Sequence, residues 1–428
     1  MRLMQILRIQ PLDPLMIRDG RPFDMTPGIK AHSLSDVSPS VLAGTIRTVL
    51  GKYSKDVNPI INGDRNIYRQ LSSKKSKVVV RGPLYEKDGE IFYPVPQDVG
   101  FYHSTENKKL GVDIRRPVQL LEGEGFYGIG TNGLYENLLW LPMSKQVHKE
   151  TSEAPAYMSA TLMHQWLLDE LSQEDWGREL KRWSEKQNGS HFIEKFPREE
   201  RVHTAIDHTT YTAEDQKLFS TESIILPDGM SMLVAVDVSQ SNIDWPRDLS
   251  LVHSLGGKRR LAHFSADNHE TSAYWKCPES ILNAVKEKTY IRMVLATPAY
   301  FSKGWLPGGF NEELVYENAW ESGVNLRLLF ACIPRWQPVS GWRYGEIPED
   351  HSKENSAQKN EKTGREKPVR RLVPAGSVYF FEVTKGNAED LVKLKWLASV
   401  SDENRRKSAF DHEDGFGLAL WGVWEPSK

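Results

Sequence analysis

SPSVLAGTIRTVLG, residues 38–51, is the clearest single element in this 428-residue sequence. Ser38 is a good N-cap, Pro39 suits the first helical position, and Val41, Leu42, Ile46, Val49 and Tyr53 recur at helical spacing. An amphipathic helix needs a partner surface, and strand patterns lie on both sides of it. Upstream, LMQILRI (3–9) reads as a buried strand ended by Pro11 and Pro14. Downstream come KVVVRGP (77–83) and EIFYPVP (90–96). An amphipathic helix is expected over 159–186, with Leu162, Trp166, Leu167, Leu171 and Trp183 on its apolar positions. MLVAVDV (232–238) then reads as a strand of a sheet centre. Strand–helix–strand–strand–helix–strand is the ferredoxin-like order, with about 188–230 left over as an insertion.

The second half offers strands at 290–297, 325–332, 376–383 and 416–424, with a short helix near 387–398. A turn at SNIDWPRD, near 245, divides the chain into an expected N-terminal domain (1–245) and C-terminal domain (246–428). The expected fold class is therefore α+β. Segment 351–371, HSKENSAQKNEKTGREKPVRR, has almost no large apolar side chains and reads as a basic surface loop. A second basic run is Lys74, Lys75, Lys77 and Arg81.

Composition narrows the function classes. Lys and Arg number 55 against 57 Asp and Glu, so the net charge is −2 and any polyanion site is a local patch. Cys277 and Cys332 are the two cysteines, too few for a disulfide framework or a four-thiolate zinc site. No run of 18 apolar residues occurs, so no membrane partner is expected, and the expected compartment is the reducing cytoplasm. No motif calls for a cofactor or metal.

Several motifs carry candidate chemistry. GFGLALWGVW (415–424) sets Gly415 and Gly417 before a strand, a loop able to bring main-chain N–H groups to phosphate. A dinucleotide fingerprint fails there, because Leu420 occupies the third glycine position and a strand follows. LGGKRRLAH (255–263) combines Gly256 and Gly257 with Lys258, Arg259 and Arg260. It lacks the first glycine and the Ser/Thr of a P-loop, so it reads as a phosphodiester contact or a solvated turn. RPFDMTPGIKAHSLSD (21–36) holds Arg21, Lys30 and His32, and His32 is the one candidate general acid/base for RNA cleavage. REERVHTAIDHTTYTAEDQKLFSTE (198–222) reads either as a plain projecting two-stranded hairpin or as a finger wedged against a nucleic-acid strand. His203, Asp207 and His208 fit no common zinc spacing. The 13 tryptophans read mainly as core, with a carbohydrate platform the alternative, and no carboxylate pair marks a glycosidase.

Taken in order, LRIQPLDPLMIRDGRPF, SPSVLAGTIRTVLG, GGKRRLAHF, RMVLATPAYFSKGWLP, KPVRRLVPAGSVYFFEV and GFGLALWGVW resemble one family. It is the Cas5-like RAMP subunit, the third subunit, of the type III-B CRISPR (Cmr) effector complex. The resemblance implies tandem ferredoxin-like (RRM-like, RAMP) domains with a long hairpin insertion. It implies a non-catalytic subunit in antiviral defence that holds the 5′ handle of the crRNA and docks to the large polymerase/cyclase-like subunit. The RAMP backbone subunit and target RNA near the handle junction are further implied partners, the hairpin lying thumb-like across the crRNA with Arg201, His203, Thr209 and Thr210 as its expected contacts. Arg18, Arg21, Lys30, His32 and Arg47, then Lys258 to Arg260, with Gly415 and Gly417, are the expected cradle. The alternative is a metal-independent RAMP endoribonuclease that processes repeat RNA with His32.

Overall fold

The computed structural model describes residues 4–18, 28–53, 77–104, 109–119, 139–143, 149–187, 189–207, 209–241, 243–267, 270–340, 342–343, 365–366, 369–402 and 414–426. Arg21, Lys74, Lys75, His208 and most of the basic loop 351–371 lie outside the described residues.

The elements that frame the molecule run as follows. First come β1 (Gln5–Pro11), α1 (Pro39–Tyr53), β2 (Lys77–Lys87), β3 (Glu90–Pro94), β4 (Tyr157–Ser159), α2 (Ala160–Leu167) and α3 (Gln173–Ser184). Then come β5 (Arg198–Ile206), β6 (Ala213–Ile224), β7 (Met230–Gln240), β8 (Ser250–Ser254) and β9 (Leu261–Asp267). The rest are β10 (Tyr290–Leu295), β11 (Asn325–Cys332), β12 (Val378–Lys385), α4 (Ala388–Lys395) and β13 (Ala419–Val423). It is a mixed α/β architecture in which the sheets are mostly antiparallel.

The larger sheet runs β4-β3-β2-β7-β1-β9-β8, with the short strand Phe192–Ile193 beyond β4. The smaller runs β11-β12-β10-β13, with Val315–Tyr316 at its β11 edge. β7 is apolar on both faces because both are covered. Met232, Val234 and Val236 point with Leu7 and Ile9 of β1 toward Leu42, Ile46 and Val49 of α1. Leu233 and Ala235 point the other way, into a cluster that also holds Trp166 of α2 and Leu420 and Trp421 of β13. One apolar core therefore lies between the two sheets.

Three expectations change. The segment 232–238, expected as the last strand of the first unit, sits inside the sheet between β2 and β1. β9 takes the place beyond β1, so the larger sheet continues past the turn near 245. The long helix expected over 159–186 is two helices. Asp169, in a left-handed conformation at φ 63°, ends the first turn of chain after α2, and Ser172 caps α3 in a reciprocal capping box with Asp175.

Candidate nucleic-acid interface

Strands β5 and β6 form a hairpin within the expected insertion, pairing Arg201 with Thr221, Val202 with Ser220, His203 with Phe219 and Thr204 with Leu218. The period of two puts Arg201, His203, Phe219 and Thr221 on one face and Val202 and Leu218 on the other. On the first face the His203 ring stacks on Phe219, centroids 5.1 Å apart and planes 19° from parallel. His203 Nε2 lies 2.9 Å from Thr221 Oγ1. On the second face Val202 is 70% exposed and Leu218 is also exposed.

The Gly256–Arg260 turn folds onto the first face. Gly257 N–H donates to Met16 O at 2.7 Å. Gly256 has φ +78°, and a Cβ there would meet that same carbonyl at 2.6 Å, so only glycine lets the turn sit this close. These two glycines anchor the turn to the protein's own main chain. Lys258 and Arg259 follow with φ of 55° and 51°, a left-handed pair that leaves both side chains exposed. Lys258 Nζ stands 5.0 Å over the Phe219 ring.

The electrostatics follow from that convergence. Partial burial, then the charges of Lys258, Arg260 and Arg201, push the His203 pKa below its ordinary value. Its imidazole is therefore neutral at physiological pH and offers one donor and one acceptor. Arg201 is ion-paired to Glu199 at 2.8 Å. At the hairpin tip the Asp207 carboxylate accepts N–H bonds from Thr209 (2.6 Å) and Thr210 (3.1 Å), and Tyr211 is 82% exposed. Lys258 and Arg260 of the turn, with a neutral imidazole, an aromatic ring and hydroxyls on the ribbon beside the carboxylate-paired Arg201, suit a sugar–phosphate backbone and unstacked bases.

The other expected site residues are placed differently. Lys30 and Ala31 pair in parallel with β6, at the hairpin base. Lys30 Nζ is held by Glu200 at 2.6 Å and Glu222 at 3.3 Å, so its charge is already balanced by protein carboxylates. His32 Nδ1 lies 3.8 Å from Glu222. Arg18 is exposed on a bridge to Ser33. Arg47 corrects the expectation of a surface contact. It is buried, ion-paired to Asp414 at 2.6 Å, and donates from Nε and Nη2 to the Val78 carbonyl. Gly415 and Gly417 are buried too, Gly415 against the Gly82 main chain, so they join the two halves of the core. Among the described residues no group of three His, Cys, Asp or Glu side chains converges as a metal site.

Phe219, the platform of the cationic face, was not singled out by the sequence reading. Its signal was its register opposite His203, which depends on the unseen length of the hairpin turn.

Comparison with known proteins gives one decisive match. Residues 7–424 fit the family model described as CRISPR-associated protein (Cas_Cmr3). No curated protein matches the chain. Among solved structures, a chain of type III-B Cmr-beta bound to cognate target RNA and AMPPnP is 16% identical, with 88% of this chain and 86% of that chain covered at a TM-score of 0.41. A chain of type III-B Cmr-beta bound to cognate target RNA is 13% identical over the same shares, at 0.42. A chain of the Csm3–Csm4 subcomplex of the type III-A CRISPR-Cas interference complex is 10% identical, covering 99% of this chain and 100% of that one at 0.40.

Proposed function

Because the chain belongs to the Cas_Cmr3 family of CRISPR-associated proteins, we propose that it is the non-catalytic RNA-holding subunit of a type III-B effector ribonucleoprotein. In this reading the cytoplasmic complex places the 5′ handle of the crRNA on the hairpin face, with the hairpin near the junction where pairing to target RNA begins. Other surfaces dock to the large polymerase/cyclase-like subunit and the RAMP backbone subunit. The observation that carries the reading is the convergence of Lys258 and Arg260 with Arg201, His203 and Phe219, next to the exposed Arg259. In a chain of net charge −2, that convergence is a local cationic, aromatic ribbon.

The strand orders support a tandem ferredoxin-like reading. Numbering the first unit's strands β1, β2, β7 and β9 gives the spatial order 4-1-3-2, and β10, β11, β12 and β13 give the same order in the second.

The test replaces Lys258, Arg259 and Arg260 together by Ala and measures binding of a repeat-derived handle oligoribonucleotide across a salt series. Binding should weaken, and the slope of log K against log salt should become shallower by about 2, three phosphate contacts at roughly 0.7 each. An unchanged slope would rule this face out. For the non-catalytic role, repeat RNA incubated with the protein in chelator should stay intact. Metal-independent cleavage that His32→Ala abolishes would replace the reading with the ribonuclease one.

A further inference from the structure

A second aromatic and cationic surface lies apart from the hairpin turn. The short ladder Gln337–Val339/Arg370–Leu372 pairs Pro338 with Arg371 and Val339 with Arg370. Trp336, immediately before it, is 43% exposed, whereas Trp166, Trp176, Trp421 and Trp424 are fully buried. The Arg371 guanidinium lies 4.8 Å over the Trp336 ring, forming a stack of two flat groups at the surface. Arg335, Arg370 and Arg371 are all exposed, and among the described residues none is held by a carboxylate.

This platform borders a cleft of about 780 Å³, rimmed by Arg335, Trp336 and Gln337. Inside it Tyr157 and Phe196 stack at 4.9 Å, with Tyr85 edge-on to both. Its lining also includes Arg198, at the base of the hairpin, where it is ion-paired to Glu222. The cleft therefore links the platform to the hairpin, and its volume is that of a small-ligand site. The three rings are buried against one another, so the surface offers the exposed indole and the arginines. An acidic peptide would satisfy the arginines but leave the indole unused, whereas an unpaired nucleotide uses both, because bases stack on aromatic rings and guanidinium planes while phosphates meet arginines.

We propose that the Trp336–Arg371 stack and the cleft beside it seat an unpaired nucleotide of single-stranded RNA, its base extending the stack and its phosphates on Arg335 and Arg370. The proposal rests on the RNA-holding reading and adds a second contact to it. Either the crRNA or the target strand supplies that chemistry.

The experiment is photo-cross-linking of the complex assembled with its partner subunits, crRNA and target, with 4-thiouridine placed in one RNA at a time. An adduct on the peptide containing Trp336 is expected, and the labelled strand that gives it identifies the source. Trp336→Leu should abolish that adduct and weaken binding of the same strand about tenfold, within the range for one base stack. Arg370→Gln with Arg371→Gln should weaken it similarly, and both variants should keep the wild-type melting temperature because these side chains are exposed. Adducts on the hairpin peptide with none on the Trp336 peptide from either RNA would overturn the platform and spare the hairpin. Loss of adducts at both places would overturn the reading beneath it. Protection of Trp336 from hydrogen exchange by partner subunits alone, before RNA is added, would assign the surface to protein and overturn the proposal.

Discussion

Arg47 and Lys258 are both cations expected at one RNA cradle, yet they meet opposite surroundings. Lys258 is exposed over an aromatic ring, whereas Arg47 is buried against Asp414 at 2.6 Å and the Val78 carbonyl. Removing one member of a buried pair leaves the other's charge unsolvated, which typically costs about 3–5 kcal/mol. Arg47→Met should therefore lower unfolding stability by about that amount in urea, while handle binding by the remaining folded protein stays at the wild-type value. A stability within about 1 kcal/mol of wild type would show that Asp414 finds another partner or water. The pair spans residues 47 and 414, and nothing local in the sequence says whether such an arginine faces phosphate or carboxylate. Gly415 was obscure for the same reason. Its φ of +95° suits a phosphate loop, but the atom a Cβ would strike is the Gly82 carbonyl at 2.5 Å, contributed by a distant strand. Residue type and turn chemistry were legible, and the long-range partner was not.

At the scale of elements, the break between α2 and α3 is where the interior becomes charged. Asp169, in the break, reaches Arg116 and lies 3.7 Å from Arg292. Arg292 projects from β10 with no exposure, 4.4 Å from the Trp166 ring and 3.5 Å from Asp98, which is buried as well. The apolar spacing of 159–186 continues through the break, so periodicity alone predicted one helix. The interruption coincides with a carboxylate held by two arginines, the half-buried Arg116 and the fully buried Arg292 more than a hundred residues away. Burial pushes the Asp98 pKa up to about 6, against the pull of Arg292 and Arg116 and helped by Asp169. A folded-state value above the unfolded one, about 3.9, means that the folded chain binds more protons between pH 4 and 6. Asp98 thus favours folding most at low pH. Its contribution falls as pH rises through that window and is flat above it. Two pH units correspond to about 3 kcal/mol. Asp98→Asn should remove that slope, so the wild-type protein should lose about 3 kcal/mol relative to the variant between pH 4 and 7. Parallel stability curves would show that Asp98 is charged throughout. Arg292→Met alone should destabilise strongly, and Asp98→Leu combined with Arg292→Met should recover most of the loss, because a buried pair contributes little over an apolar replacement.

For the whole molecule, the question is whether two sheets make two independent units. The strand patterns of both halves were legible from alternation and apolar runs, but neighbour relations were not, because a period of two is the same for a central strand whichever strands flank it. That is why β7 was expected at the end of an order that β9 completes. The consequence is physical: a chain ending at 245 would lack β8 and β9, leaving one side of β1 unpaired. It would also expose the face that carries Leu233, Trp166 and Leu167, which in the full chain is closed by β13. The fit there is close, since a Cβ on Gly422 would meet the Leu167 Cα at 2.7 Å. Main-chain bonds cross the same boundary, from Gln97 N–H to the Gly376 carbonyl and from Trp140 N–H to the Leu329 carbonyl, each 2.9 Å. Elements that share one core and exchange backbone hydrogen bonds gain little stability apart, so the full chain should unfold in one transition with calorimetric and van't Hoff enthalpies in agreement. The 1–245 fragment should show no cooperative transition. Two resolved transitions in the full chain, or a sharp melt of the fragment, would mean that each sheet carries a sufficient core of its own and that the shared apolar layer is only a docking surface between them.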